Sequence, residues 1–265
     1  MTLSAVTGNI TVNSVITANA APGVDGGNGG SITVNVGNPS VATSGNFILT
    51  NSLQVAGGGG AGSGGDAGSV TILLRDSSPG VSSLSRALLL TGSGVLAIGG
   101  ASGPGPAGDG GIVTVTAQGP VTVSGTVNLQ GGIGSGSAGG RGGFLDILTD
   151  PASTGVGAAI TVSSGAVIDV SGGIGTGGSG SGGDARNNGT AGVTDDPSML
   201  GVRFRSATGT IIQSGVIAAR GANFDGDGGD ILFVGTGPGG SPAPGPGVQY
   251  RSGAGSGASG DFSGL

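Results

Sequence analysis

Short stretches in which apolar and polar residues alternate recur along the whole chain, and glycine-rich runs separate them. Residues 158–184 show the unit. Ile160-Thr-Val162 and Val167-Ile-Asp-Val170 are joined by Ser-Ser-Gly-Ala, and the run IGTGGSGSGGD follows. The apolar period is two rather than 3.6, and the residues are Val, Ile, Thr and Leu, which suit a pleated, half-buried surface. Glycine costs about 1 kcal/mol relative to Ala in a helix interior, and few windows of helical length escape one. The pattern predicts strands throughout.

Each unit reads as three strands and a loop. Strand A lies at residues 32–36, 70–74, 112–116, 144–148, 202–206 and 231–234. Strand B lies at 10–13, 46–50, 87–90, 120–123, 159–162 and 210–213. Strand C lies at 15–18, 53–56, 95–98, 127–130, 167–170 and 216–219, and glycine-rich sequence follows each one. Constant strands with loops of variable length are the mark of a solenoid, in which insertions leave from one corner while the core stacks. The widest gap places the largest insertion at residues 171–201.

The expected fold is therefore all-β: a right-handed parallel β-solenoid of about six three-strand turns, with the glycine-rich loops at one corner. The hand follows from the crossover rule for parallel strands. Ile32, Val34, Val36, Val70, Ile72, Leu74, Val202, Phe204, Ile231 and Phe233 should point inward, and Thr33, Asn35, Asp146, Arg203 and Arg205 outward. Residues 1–236 form the solenoid and 237–265 a Gly/Pro-rich tail without a turn of its own, lying along a neighbouring subunit or disordered. The glycine loops read either as flexible corners or as close-packed layers of extended backbone.

The ends carry the functional expectation. The first strands read are B and C and the last is A, with at most a stub of A in residues 1–7, so the first turn lacks a full A and the last lacks B and C. Such ends are complementary, and stacking head to tail would complete a turn at each junction. Ile10, Val12 and Val15 at one end, with Ile231 and Phe233 at the other, are the expected junction residues. No capping helix is apparent, and an uncapped parallel coil presents unpaired N–H and C=O groups that template association. A head-to-tail contact that does not close produces a filament. A segment cut from a longer surface protein would show the same raw ends.

Composition supports a structural role. Glycine accounts for 67 of 265 residues without a Gly-X-Y period, which excludes collagen. Lys, Glu, His, Cys and Trp are absent, and charged residues make up 8% of the chain against a usual figure of about 25%. So little charge suits a surface covered by other copies of the chain, with stability that depends little on salt. A net charge of −6 and no basic patch argue against a nucleic-acid partner. The opening Met1-Thr-Leu-Ser-Ala lacks the features of a signal peptide, so a leader would have been removed or export uses another route. No apolar run approaches the length of a transmembrane helix.

The segments ITVNSVITANAAPGVDGGNGGSITVNV and VTVSGTVNLQGGIGSGSAGGRGG resemble the glycine-rich right-handed β-helix repeats of filamentous-haemagglutinin and autotransporter-passenger proteins. The resemblance is one of pattern across nearly the whole chain. It implies an exported fibrous or adhesive protein, extracellular or at the cell surface, and transfers no binding residue.

Little chemistry is on offer. Asp225, Asp227 and Asp230 place three carboxylates on one glycine turn, which suits calcium, against the alternative of a solvated acidic turn. No other cofactor is expected. A polysaccharide-cleaving enzyme would need paired carboxylates in a groove; Asp169, Asp195, Asp196 and Arg220 are scattered, so the chain is not expected to be an enzyme. Outward Thr33, Thr71 and Thr114 hint at the threonine ladder of an ice- or surface-binding face, but Asp146, Arg203 and Arg205 interrupt it. The reading that remains is a self-stacking subunit of an extracellular filament, with a surface adhesin segment as the alternative.

Overall fold

In a computed structural model of the chain, residues 1–37, 45–75, 88–150, 158–175, 200–207, 209–221, 229–235, 248–250 and 261–263 are described, those at 200, 230, 235, 248–250 and 261–263 by backbone only. The chain is an all-β parallel β-solenoid of about six turns, with no helix among the described residues. Strands are numbered in chain order. Sheet A stacks β1 (Thr2–Ala5), β4 (Ser31–Val36), β7 (Ser69–Leu74), β10 (Ile112–Ala117), β13 (Phe144–Thr149), β16 (Leu200–Ser206) and β19 (Asp230–Gly235). Sheet B stacks β2 (Ile10–Val12), β5 (Phe47–Leu49), β8 (Leu88–Leu90), β11 (Val121–Val123), β14 (Ile160–Val162) and β17 (Ile211–Gln213). Sheet C stacks β3 (Ile16–Thr17), β6 (Ser52–Gln54), β9 (Gly94–Leu96), β12 (Thr126–Asn128), β15 (Val167–Asp169) and β18 (Val216–Ala218). All of these neighbours pair in parallel, so each turn climbs by one strand spacing, about 4.8 Å.

Inward residues stack on their counterparts one turn away. Val34 meets Ile72, Ile72 meets Val115, Val115 meets Ile147 and Ile147 meets Phe204, and none of the five is exposed. Sheets B and C contribute Phe47, Leu88, Val121 and Ile160, and Leu53, Val95, Val127 and Ile168, each at most 1% exposed. Burying a side chain of this size contributes roughly 1.5–3 kcal/mol, so these columns are the main source of stability. Between strands B and C the chain turns sharply. At the turn of residues 163–166, Gly165 adopts φ +88° while the Ala166 N–H bonds the Ser163 carbonyl at 3.0 Å.

Two inward positions late in sheet A are polar. The Thr149 hydroxyl donates to the Ala158 carbonyl at 2.7 Å, and the Ser206 hydroxyl donates to the same oxygen at 2.8 Å while accepting the Gly209 N–H at 2.9 Å. Both groups are buried and hydrogen-bonded, which is the condition under which polar atoms are tolerated in a core.

The structure corrects the reading of both ends. Residues 2–5 form a true A strand: β1 pairs with β4 from Thr2 to Ala5, so the first turn does not lack A. In the tail, β20 (Val248–Tyr250) pairs antiparallel with β19, and β21 (Asp261–Ser263) pairs antiparallel with β18. These two tail strands thus cover the last edge of sheets A and C. The sequence could not show this, because pairing with an edge strand is nonlocal and leaves no periodic signal.

Candidate functional site

The glycine loops decide what the surface offers. Each begins as an outgoing leg that continues strand C (residues 18–23, 55–60, 97–102, 129–134 and 170–175) and comes back as a return leg that feeds strand A (residues 26–30, 63–68, 106–111 and 138–143). The outgoing legs continue the ladder of sheet C through the parallel bridges Gly23–Gly60, Gly60–Ser102, Ser102–Gly134 and Gly134–Gly175. Hydrogen bonds also cross between legs. The N–H of Gly173 bonds Gly140, Gly140 bonds Gly132, Gly132 bonds Gly108, Gly108 bonds Gly100, Gly100 bonds Gly65, Gly65 bonds Gly58 and Gly58 bonds Gly27, all between 2.8 and 3.0 Å. A second set, Gly68 to Val55, Gly111 to Ala97 and Gly143 to Leu129, lies three residues away on each leg, at 2.7 to 2.8 Å. A repeat of three is the period of a polyproline-II coil, and the cross-bonded legs form a slab.

Only glycine permits this packing. A Cβ on Gly58 would fall inside the contact shell of the Ala21 carbonyl oxygen, one on Gly100 inside that of Gly58, and one on Gly132 inside that of Gly100. Of the two expectations for the loops, the described residues bear out close-packed backbone layers. Where the legs join the coil, Val55, Ala97, Leu129 and Val170 still point into the core; farther out, the exposed side chains lie on the two faces of the slab. The outgoing face shows Pro22, Ala101, Ile133 and Ile174, the last two 52% and 46% exposed. The return face shows Asn28, Asp66, Asp109 and Arg141.

The expected junction residues can be placed. Ile10 and Val12 lie on β2 and point inward, Ile10 half-buried and Val12 6% exposed; Val15 faces outward at 48%. Ile231 and Phe233 lie on β19, where Ile231 is buried and Phe233 stacks on Phe204 with ring centroids 5.4 Å apart. Their strand edge is paired with β20 rather than open. At the other end, no strand among the described residues pairs with the outer edges of β1, β2 or β3. Large apolar side chains are exposed mainly in these terminal turns: Met1, Val6, Val15 and Val24 at the base, and Ile212, Val216 and Val234 in the last turn.

Asp225 and Asp227 lie outside the described residues, and of Asp230 only the backbone, within β19, is described. Asp195 and Asp196 also lie outside them. Among the described residues no group of three or more His, Cys, Asp or Glu side chains is arranged to hold a metal ion. Asp169 is engaged locally, accepting from the Gln130 side chain at 2.8 Å and from the Ser171 N–H at 3.0 Å. Thr33, Thr71 and Thr114 do stack in register on sheet A, and Asp146 and Arg203 continue their column. A shallow groove of about 420 Å³ runs between the return legs and sheet A, lined by Gly29, Gly30, Ser31, Ala67, Gly68, Ser69 and Ile112, with no titratable side chain in its walls.

No protein-family model, curated protein or solved structure matches the chain.

Proposed function

We propose that the chain is a structural protein, a β-solenoid subunit that extends edge to edge into an extracellular filament. The observation that carries this reading is the base of the coil. There β1, β2 and β3 are fully in register with the turn above, yet bond nothing on their outer side among the described residues. Leu3, Ile10 and Ile16 point into the core there but are only half-buried. Unpaired ladders over an apolar cross-section favour another strand layer. The slab adds a glycine-rich backbone surface that carries few side chains.

The tail strands change the junction. Because β20 and β21 close sheets A and C at the far end, the base of a second copy would meet those strands there and β17 in sheet B, not Ile231 and Phe233 directly. Met1 O accepts from the Thr33 N–H and Ala5 O from the Gly37 N–H, so odd residues of β1 face β4 and the Ser4 N–H faces the open edge. Ser4→Pro therefore removes an edge donor without removing a bond to β4. Negative-stain electron microscopy of the full chain at micromolar concentration, with calcium and with chelator, tests the proposal. Long unbranched fibres in both conditions, absent from Ser4→Pro, are the expected result.

The second reading is a segment of a bacterial surface adhesin. The antiparallel closure of two sheets by β20 and β21 favours it, since closing strands are what a finite rod needs. Discrete short rods in the microscope would select it.

A further inference from the structure

Asn28, Asp66, Asp109 and Arg141 form one column on the return face, each one turn above the last. The Asn28 Oδ1 accepts the Asp66 N–H at 2.9 Å, the Asp66 Oδ1 accepts the Asp109 N–H at 2.8 Å, and the Asp109 Oδ1 accepts the Arg141 N–H at 2.7 Å. This ladder fixes the two carboxylates one strand spacing apart, about 4.8 Å. Like charges stacked at that distance repel. Among the described residues neither carboxylate has an ion-pair partner within 4.0 Å, and neither has the Arg141 guanidinium. Asp66 and Arg141 are exposed and Asp109 is half-buried, and their chain neighbours are glycine except for Ala67 after Asp66. The charges therefore project from a plane of glycine.

The column is also polarised along the rod. Asp66 and Asp109 make its base-side half acidic and Arg141 stands one turn above them, while Arg203 and Arg205 lie on sheet A and are already paired with Asp146. Two copies laid side by side in the same direction would set Asp on Asp and Arg on Arg. Turned about a two-fold axis between Asp109 and Arg141, the same face becomes complementary to itself. Asp109 of each copy then meets Arg141 of the other, and Asp66 lies within one further turn. Such a contact is isologous, and it uses every unpaired charge of the column.

We infer that the return face is a lateral docking surface for a second, antiparallel copy of this chain, held by Arg141 of each copy against Asp109 and Asp66 of the other. It concerns the side of the coil and does not depend on what its ends do. A divalent cation bridging Asp66 and Asp109 is the competing occupant.

Sedimentation equilibrium on the full chain tests this, with Ser4→Pro as background so that end stacking does not contribute. Chelator is present, and salt is about 0.01 M or 1 M, where the screening length falls from about 30 Å to 3 Å. A species of twice the chain mass is expected at low salt and its loss at high salt. Arg141→Glu should abolish it. Asp66→Asn with Asp109→Asn should abolish it too, while keeping each Oδ1 acceptor so that the ladder survives. An equal mixture of those two variants restores one of the two reciprocal contacts, and should regain a mixed pair that neither forms alone. A background protein that stays monomeric at low salt would overturn the inference, as would pairing unchanged in both variants or pairing that appears only with added calcium. Electron microscopy of Arg141→Glu without the edge proline separates the two proposals: thinner single fibres are the loss of lateral pairing alone, whereas absence of fibres from the parent chain bears on end stacking alone.

Discussion

Arg203 closes over Asp146 from one turn above, its Nε 3.0 Å from Oδ1 and its Nη2 2.7 Å from Oδ2. Asp146 sits on the outward face of β13 as expected, yet it is only 5% exposed. Arg205 adds a third hydrogen bond at 2.9 Å, and the Arg203 guanidinium carbon lies 5.6 Å from the Phe144 ring centre. Position along the strand decided the face; a long side chain in the next turn decided the burial.

Removing the carboxylate takes from both guanidiniums the acceptor that Asp146 provides. Asp146→Ala should therefore cost about 2–3 kcal/mol, less than a fully buried pair because Arg205 remains partly solvated. Urea denaturation followed by circular dichroism measures it. A midpoint unchanged within error would mean that the triad is ornamental.

The slab makes a sharper prediction about neighbouring glycines. A Cβ on Gly100 would collide with the Gly58 carbonyl, whereas one on Gly59 meets nothing nearer than the Ala101 oxygen at 3.7 Å. Gly100→Ala should lower stability by about 3 kcal/mol or more or prevent folding, and Gly59→Ala should stay within about 0.5 kcal/mol of the parent. Equal tolerance of the two substitutions would show that the loops are loose corners and not a lattice.

At the base, proline separates edge from fold. Ser4→Pro should leave the thermal midpoint nearly unchanged and stop fibre growth, since only an outward N–H is lost. Leu3→Pro should destabilise the first turn, because odd residues of β1 face β4. Fibres from Ser4→Pro as long as those of the parent would count against edge addition at β1.

End stacking should be indifferent to salt. The base carries Met1, Val6, Val15 and Val24 as its exposed apolar residues and only Asp25 among charged side chains in the first described loop. Fibre length in 1 M salt should match that in dilute buffer, in contrast to the lateral pairing above. Dissolution of fibres by salt would show that ion pairs hold the junction.

The coil itself was legible, and particular residues show why. Ile160 and Val162 are β-branched and alternate with Thr161, and Val121/Val123 and Ile10/Val12 repeat that pattern in their own turns, so period and repeat agree on strand, register and inward face. β1 was missed because Thr2-Leu3-Ser4-Ala5 carries one large apolar residue and follows no glycine loop. The slab was only half legible: its hydrogen bonds run between backbones, and glycine records no face. One signal was available, however. Asn28, Asp66, Asp109 and Arg141 each stand three places before the first residue of a sheet A strand, at Ser31, Ser69, Ile112 and Phe144. A polar residue at constant phase inside a glycine run marks an ordered leg.

The most direct test of the central claim is X-ray diffraction from aligned fibres of the full chain. Edge-to-edge addition keeps strands perpendicular to the fibre axis, so the reflection at about 4.8 Å should lie on the meridian. A reflection of that spacing on the equator, from rods lying across the fibre, would contradict it.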